Sequence, residues 1–303
     1  MNYSIIRKIN LKVLKYLENN PEIDFYYIKG NHDRVDFMEE GIDEIPSNFH
    51  LFSKDGWISY RCDDVVITGI ELDSSNSNTI AERLVLDSAD TNIVMLHGQK
   101  SDYDGKDGAE IINTTAFKGK FIDYMALGHI HKYSLDRLDD RGVYCYSGCL
   151  EGRGFDETGD KGFVLLEVED GTVYSEFIPF SSRRLHEIEL PVDPQMDIHR
   201  VFEIADERVA DVDKVDMVKF VLTGERQMDD ELDVERLLRR YRDKFFFVKC
   251  YDYTKTLIDY DSYLVDKSLK GEFVRMVQAQ DMDDQKKAKI IEIGIKAIMG
   301  EDI

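Results

Sequence analysis

Three apolar runs in this chain each stop at residues able to hold a cation, and that pattern narrows the folds open to it. Asp24–Lys29 leads into Gly30-Asn31-His32-Asp33, Asn92–Leu96 into His97-Gly98, and Asp123–Leu127 into Gly128-His129-Ile130-His131. Runs without polar alternation read as strands covered on both faces. Open α/β sheets build their sites just past the C-terminal ends of such strands. The expectation is an α/β fold with polar loops gathered along one sheet edge.

The flanking text supports this division. Ile5, Ile9, Val13, Leu14 and Leu17 recur at helical spacing until Asn19-Asn20-Pro21 stops them. Residues 143–146, 162–168 and 172–178 read as strands separated by Gly and Asp turns. Composition changes at Arg183-Arg184, after which strands at 185–190, 217–222 and 245–251 alternate with helices near 196–209 and 231–242. Amphipathic helices are expected at 268–278 and 285–299. The domains are therefore drawn as 1–182, an α+β domain over 183–262, and C-terminal helices over 263–303.

With 303 residues and 43% hydrophobic composition, the chain can bury a sizeable core. No stretch reaches the apolar length that spans a bilayer, and the N-terminus lacks the pattern of a signal peptide. Cys62, Cys145, Cys149 and Cys250 are scattered and form no zinc pattern. Free thiols and a cytoplasmic location are expected. The net charge of -22 runs against an unaided grip on nucleic acid, which normally needs a basic face. Acidic groups beside cations, or a partner that brings the grip, would remove the conflict.

The chemistry at the strand ends is specific. Asn31, His97, His129 and His131 offer one amide oxygen and three imidazoles, a mixed donor set that suits Mn, Fe or Zn better than Mg or Ca alone. A turn holding His129 and His131 can address two neighbouring ions, and ions about 3.5–4 Å apart can clamp and attack a phosphate. His32, beside a ligand but not itself one, could protonate the leaving oxygen. His50, His186 and His199 lack this context and are read as ordinary polar residues. Arg153 is a candidate phosphate contact. Arg236, Arg239, Arg240 and Arg242 are interleaved with Asp233, Glu235 and Asp243 and read as a solvated helix face.

GNHD (30–33), LHG (96–98) and GHIH (128–131), in this order, resemble motifs three to five of the calcineurin-like metallophosphoesterases. Residues 146–171 and the tail 268–280 are similar to the bacterial SbcD-type DNA-repair exonucleases. The resemblance implies a two-sheet sandwich flanked by helices, a small capping domain and C-terminal helices. It implies that Asn31, His97 and His129 bind one metal, that His131 binds the other, and that His32 acts on the leaving group. The implied cofactors are two divalent ions, Mn first and Fe, Zn or Mg next. The implied partners are DNA and an SbcC-type ABC ATPase held by the C-terminal helices, in a complex containing a homodimer.

The family pattern begins with Asp-x-His and Gly-Asp motifs, and neither stands before Gly30. The chain is therefore expected to start after the first strand-helix units of the fold. It would keep three donors for one ion and only His131 for the other, so its hydrolysis alone is expected to be negligible beside that of a chain carrying both motifs. Unpaired strand edges would invite aggregation. Asp33, Asp36, Glu71 and Asp73 are the alternative donors nearby. Two competing readings stand beside the nuclease: a phosphoesterase on small phosphates, and a non-catalytic subunit that retains only partner binding.

Overall fold

The computed structural model describes residues 3–31, 33, 45–101, 110–227 and 234–300, with backbone only for 3–10, 227 and 285. These residues divide into two units, 1–151 with 160–181 and 152–159 with 182–303.

The first unit opens with α1 (Tyr3–Glu18), β1 (Phe25–Tyr27) and β2 (Phe49–Leu51). β1 and β2 pair in parallel as a two-stranded sheet of their own. Leu14 and Leu17 of α1 are buried against Phe49, with Phe25 and Tyr27 packed around them. β1 was expected to be covered on both faces, but its residues are only half-buried. Its one partner among the described residues is β2, which limits how much of it can be covered.

Next come β3 (Ile58–Cys62), β4 (Val65–Gly69), α2 (Ile80–Arg83) and β5 (Thr91–His97). Then follow β6 (Gln99–Lys100), β7 (Ile111–Ile112), β8 (Tyr124–Gly128), β9 (Ser134–Arg137) and β10 (Val143–Tyr146). The main sheet has the order β3-β4-β5-β8-β10-β9. β4, β5, β8 and β10 run parallel, and the edge strands β3 and β9 run antiparallel to their neighbours.

Strand alternation sends consecutive side chains to opposite faces. Val94, Leu96, Met125, Leu127 and Tyr146 bury one face against Ile80, Leu84, Ile112 and Phe117. Ile93, Tyr124 and Cys145 line the other face. There Val164, Leu166 and Val173 pack against them from the hairpin of β11 (Gly162–Glu169) and β12 (Thr172–Pro179). The centre of the sheet is thus covered on both sides, which is why its strands read as continuous apolar text. The two-sheet α/β architecture expected from the sequence is present.

The second unit contains β13 (Leu185–Val192), α3 (Ile198–Arg208), β14 (Met217–Gln227), α4 (Val234–Tyr241), β15 (Phe247–Asp252) and β16 (Lys255–Leu257). β13, β14 and β15 are parallel neighbours, and β16 pairs in parallel with the end of β14. α3 and α4 cover one sheet face through Val201, Phe202, Ala205, Leu237 and Tyr241. Arg236 and Arg240 lie over the Phe202 ring, and Arg240 pairs with Asp206. That helix face is therefore engaged locally.

α5 (Tyr260–Val265), α6 (Leu269–Gln278) and α7 (Asp284–Met299) complete the chain. Asp259, Ser268 and Asp283 cap these helices by accepting backbone N–H bonds from Ser262, Gly271 and Lys286. Val274, Val277, Ile291 and Ile295 form their common core with Ile258. No described helix is long and apolar enough to cross a membrane.

One buried ion pair ties α7 to the sheet. Glu292, with 7% of its side chain exposed, accepts from Arg226 Nη2 at 2.8 Å and from Thr256 Oγ1 at 3.0 Å. Burial alone would raise the Glu292 carboxyl, but the Thr256 and Arg226 hydrogen bonds outweigh it and hold the group below the usual carboxylate range. Its folded pKa is therefore depressed. The stability it adds is complete above the unfolded value of about 4.3 and is lost as pH falls through the folded one. Glu292→Ala should cost about 3 kcal/mol, because it strands the Arg226 cation. Thermal melts of Glu292→Gln should fall less steeply than wild type below about pH 4.3; equal slopes would contradict this.

Candidate functional site

The parallel register of β5 and β8 sets the site. His97 stands opposite Gly128 at the C-terminal ends of these two strands. Gly98 N donates to the Gly128 carbonyl at 3.2 Å, and the fully buried Tyr146 hydroxyl donates to the Gly98 carbonyl at 2.8 Å. The turn after His97 is thereby fixed from both sides.

The segment that opens with Gly30-Asn31 reaches the same place from β1. Asp33 closes it as a turn: its Oδ2 accepts from Gly30 N and from the Tyr27 hydroxyl, each at 3.0 Å. Asp33 N donates back to the Gly30 carbonyl at 3.0 Å. The turn presents Asn31, whose Oδ1 lies 3.1 Å from His97 Nε2. The rings of His97 and His129 meet edge to face, 5.6 Å between centroids and 76° between planes.

Two glycines make room for this. A Cβ at Gly30 would sit 2.9 Å from His97 Cε1, and one at Gly128 would sit 2.7 Å from His97 Nδ1. His129 has a φ of 108°, a conformation rare for a residue with a Cβ. Such strain costs about 1–3 kcal/mol and gathers at functional sites. The His129 Nε2 atom is buried.

The structure thus brings Asn31, His97 and His129 together. His131 lies two residues on, with a ring nitrogen within 4.8 Å of Cys149 Sγ. Its carbonyl accepts from Lys161 Nζ at 2.8 Å and from Cys149 Sγ at 3.6 Å. His32 and Asp36 lie outside the described residues. Arg153 belongs to the second unit, where it pairs with Glu157 at 3.6 Å. Of the alternative donors, Asp33 is engaged in its own turn, and Asp73 accepts from Ser75 N at 2.8 Å and Asn76 N at 3.2 Å. His50 pairs with Asp24 and His186 with Asp216, each at 2.8 Å.

None of the four cysteines is joined in a disulfide. Burial pushes the Cys145 thiol up, and pushes that of Cys250 up to about 12, so both stay protonated at neutral pH. Lys161, only 3% exposed, is a participant that the sequence did not single out. A lysine in a Gly-Asp turn before a strand looks like any surface lysine, and no signal in the text separates it.

An amide oxygen 3.1 Å from one imidazole nitrogen, with a second imidazole edge-on to the first, fits a single divalent cation of the Mn, Fe or Zn type. The calcineurin-like phosphoesterase superfamily domain pattern matches residues 9–171, and the chain belongs to that superfamily, whose members use divalent metal ions. It is similar to the uncharacterized metallophosphoesterase YhaO of Bacillus subtilis (strain 168), 31% identical over 176 residues. That match covers 55% of this chain and 41% of the relative, so the chain spans less than half of the relative's length.

Because Gly128 abuts His97, Gly128→Ala should tilt the ring and weaken divalent-cation affinity about tenfold, the scale of a lost supporting contact. Calorimetric titration checks this, and unchanged affinity would contradict it.

Proposed function

We propose that this protein is a metal-dependent phosphodiester hydrolase of the nuclease type, acting on DNA beside an SbcC-type ATPase that the C-terminal helices engage. The observation that carries the hydrolase reading is the convergence of Asn31, His97 and His129 at one sheet edge. The nuclease reading is supported by the similarity of residues 146–171 and 268–280 to SbcD-type exonucleases. A second unit and packed terminal helices also suit a macromolecular substrate better than a small one.

Asn31, His97 and His129 would hold one divalent cation, and His131 a neighbouring one, with Mn the first candidate. A cation there supplies Lewis-acid polarisation of the phosphoryl group. The residues of the chain divide the remaining work. The Gly30–Asp33 turn aims the Asn31 oxygen. Lys161 and Cys149 fix the backbone of His131. His32, next to Asn31 in sequence, is assigned to protonate the leaving oxygen, a task suited to a group that titrates near neutrality. Arg153 is a further candidate for a phosphate contact.

The net charge of -22 favours one second reading, a phosphoesterase on small phosphates, because such substrates need no extended basic face. The test is manganese-dependent cleavage of single-stranded DNA set against hydrolysis of 4-nitrophenyl phosphate. The expected result is slow, manganese-dependent DNA cleavage that falls to background in His97→Ala. Hydrolysis confined to the nitrophenyl ester would favour the second reading. Cleavage unaffected by His97→Ala would contradict the assigned site.

A further inference from the structure

The hairpin of β11 and β12 lies on the main sheet by one face only. Side chains alternate along a strand, and Val164, Leu166 and Val173 turn inward to the sheet. Phe177 also turns inward and stacks on Tyr133, 4.5 Å between centroids. The register then sends Phe163, Leu165, Tyr174 and Ile178 to the opposite side. Phe180, just past the end of β12, meets the Phe163 ring edge to face at 5.8 Å.

The solvated face of an antiparallel pair normally reads as polar. Here Phe163, Leu165, Tyr174 and Phe180 are 38%, 44%, 55% and 63% exposed. Single exposed apolar residues are ordinary, but a contiguous group rimmed by polar ones marks a contact surface. The polar groups beside it are of one sign. Glu176 stands opposite Leu165 and Glu167 opposite Tyr174, with Glu169 two residues further on, and all three are exposed. Neither strand contains a Lys or an Arg. Lys161, next to the start of β11, is buried and donates to the His131 carbonyl.

We propose that this outer hairpin face is a docking surface for a basic, amphipathic helix of a partner protein. Strands of eight residues give a face roughly 25 Å long, and two of them side by side offer about the width of one helix. Apolar residues of such a helix would cover Phe163, Leu165 and Phe180. Its Lys and Arg stems would lie along the Tyr174 end while their heads reach Glu167, Glu169 and Glu176. The same charge disfavours other occupants. Nucleic acid or an anionic lipid surface would be repelled by the glutamates. A second copy laid face to face would set glutamate against glutamate, and each copy carries a net charge of -22. The face belongs to the first unit, apart from the C-terminal helices assigned to the ATPase, and the inference does not rest on the nuclease reading.

The experiment is fluorescence anisotropy of the whole protein with a labelled peptide of leucine, alanine and lysine whose leucines share one helical face. The comparison is a peptide of equal composition with its leucines spread around the helix. The patterned peptide should bind more tightly, and its binding should weaken as salt is added. Leu165→Ala and Tyr174→Ala should each weaken it about fivefold or more. Glu167→Lys should weaken it as well. Glu82→Lys makes the same charge change at an exposed position of α2, which packs on the other face of the main sheet. That variant should bind like wild type. These exposed positions should leave the melting temperature unchanged, which thermal melts verify.

No binding, equal binding of the two peptides, or hairpin variants that bind like wild type would overturn the inference. Equal losses from Glu167→Lys and Glu82→Lys would also overturn it, because attraction to net charge alone would then suffice. Self-association that Leu165→Ala abolishes, with no peptide bound, would overturn it in favour of a second copy.

Discussion

The His97 ring occupies a slot that only hydrogen atoms leave open. Glycine on either side lets the imidazole lie against backbone, close enough for its Nε2 to stand 3.1 Å from Asn31 Oδ1. A methyl group at position 30 or 128 would claim the same space. The pairing of β5 with β8 places His97 beside that gap, and the Asp33-closed turn brings the amide oxygen to it. The strained His129 backbone completes the grouping. Site geometry here follows from sheet register and the absence of two Cβ atoms.

The layers beneath explain why the site is held firmly. β5, β8 and β10 are apolar on both faces because α2 and its neighbours cover one side and the β11–β12 hairpin covers the other. Polar atoms near the top of the sheet are matched in the same manner. The Tyr146 hydroxyl meets the Gly98 carbonyl, and the Lys161 ammonium meets the carbonyl of His131. Buried donors and acceptors are costly unless paired, so these links hold the loops that carry histidines in one arrangement.

Much of this was legible in the text. The runs ending at His97 and Gly128 are strands ending at Thr91–His97 and Tyr124–Gly128, and the helical spacing from Ile5 to Leu17 falls in Tyr3–Glu18. The final two helices lie at Leu269–Gln278 and Asp284–Met299, close to their expected spans. What escaped reading has physical causes. Phe49–Leu51 is only three residues long, and Ile58–Cys62 and Ser134–Arg137 are edge strands with exposed residues, so none leaves an apolar run to detect. The placement of β1 in a separate sheet is a matter of pairing, which periodicity does not encode. Which face of β15 meets solvent depends on where α3 and α4 pack, and Phe247 and Tyr251 look like core residues until that is known.

The central claim is that Asn31, His97 and His129 act as one cation site. Histidine-ring 15N NMR during titration with zinc, a diamagnetic stand-in, tests it most directly. The account predicts that the ring nitrogens of His97 and His129 move together with one stoichiometric transition, while His50, His186 and His199 stay still. Independent movement of His97 and His129, or zinc drawn first to His50 or His186, would contradict it.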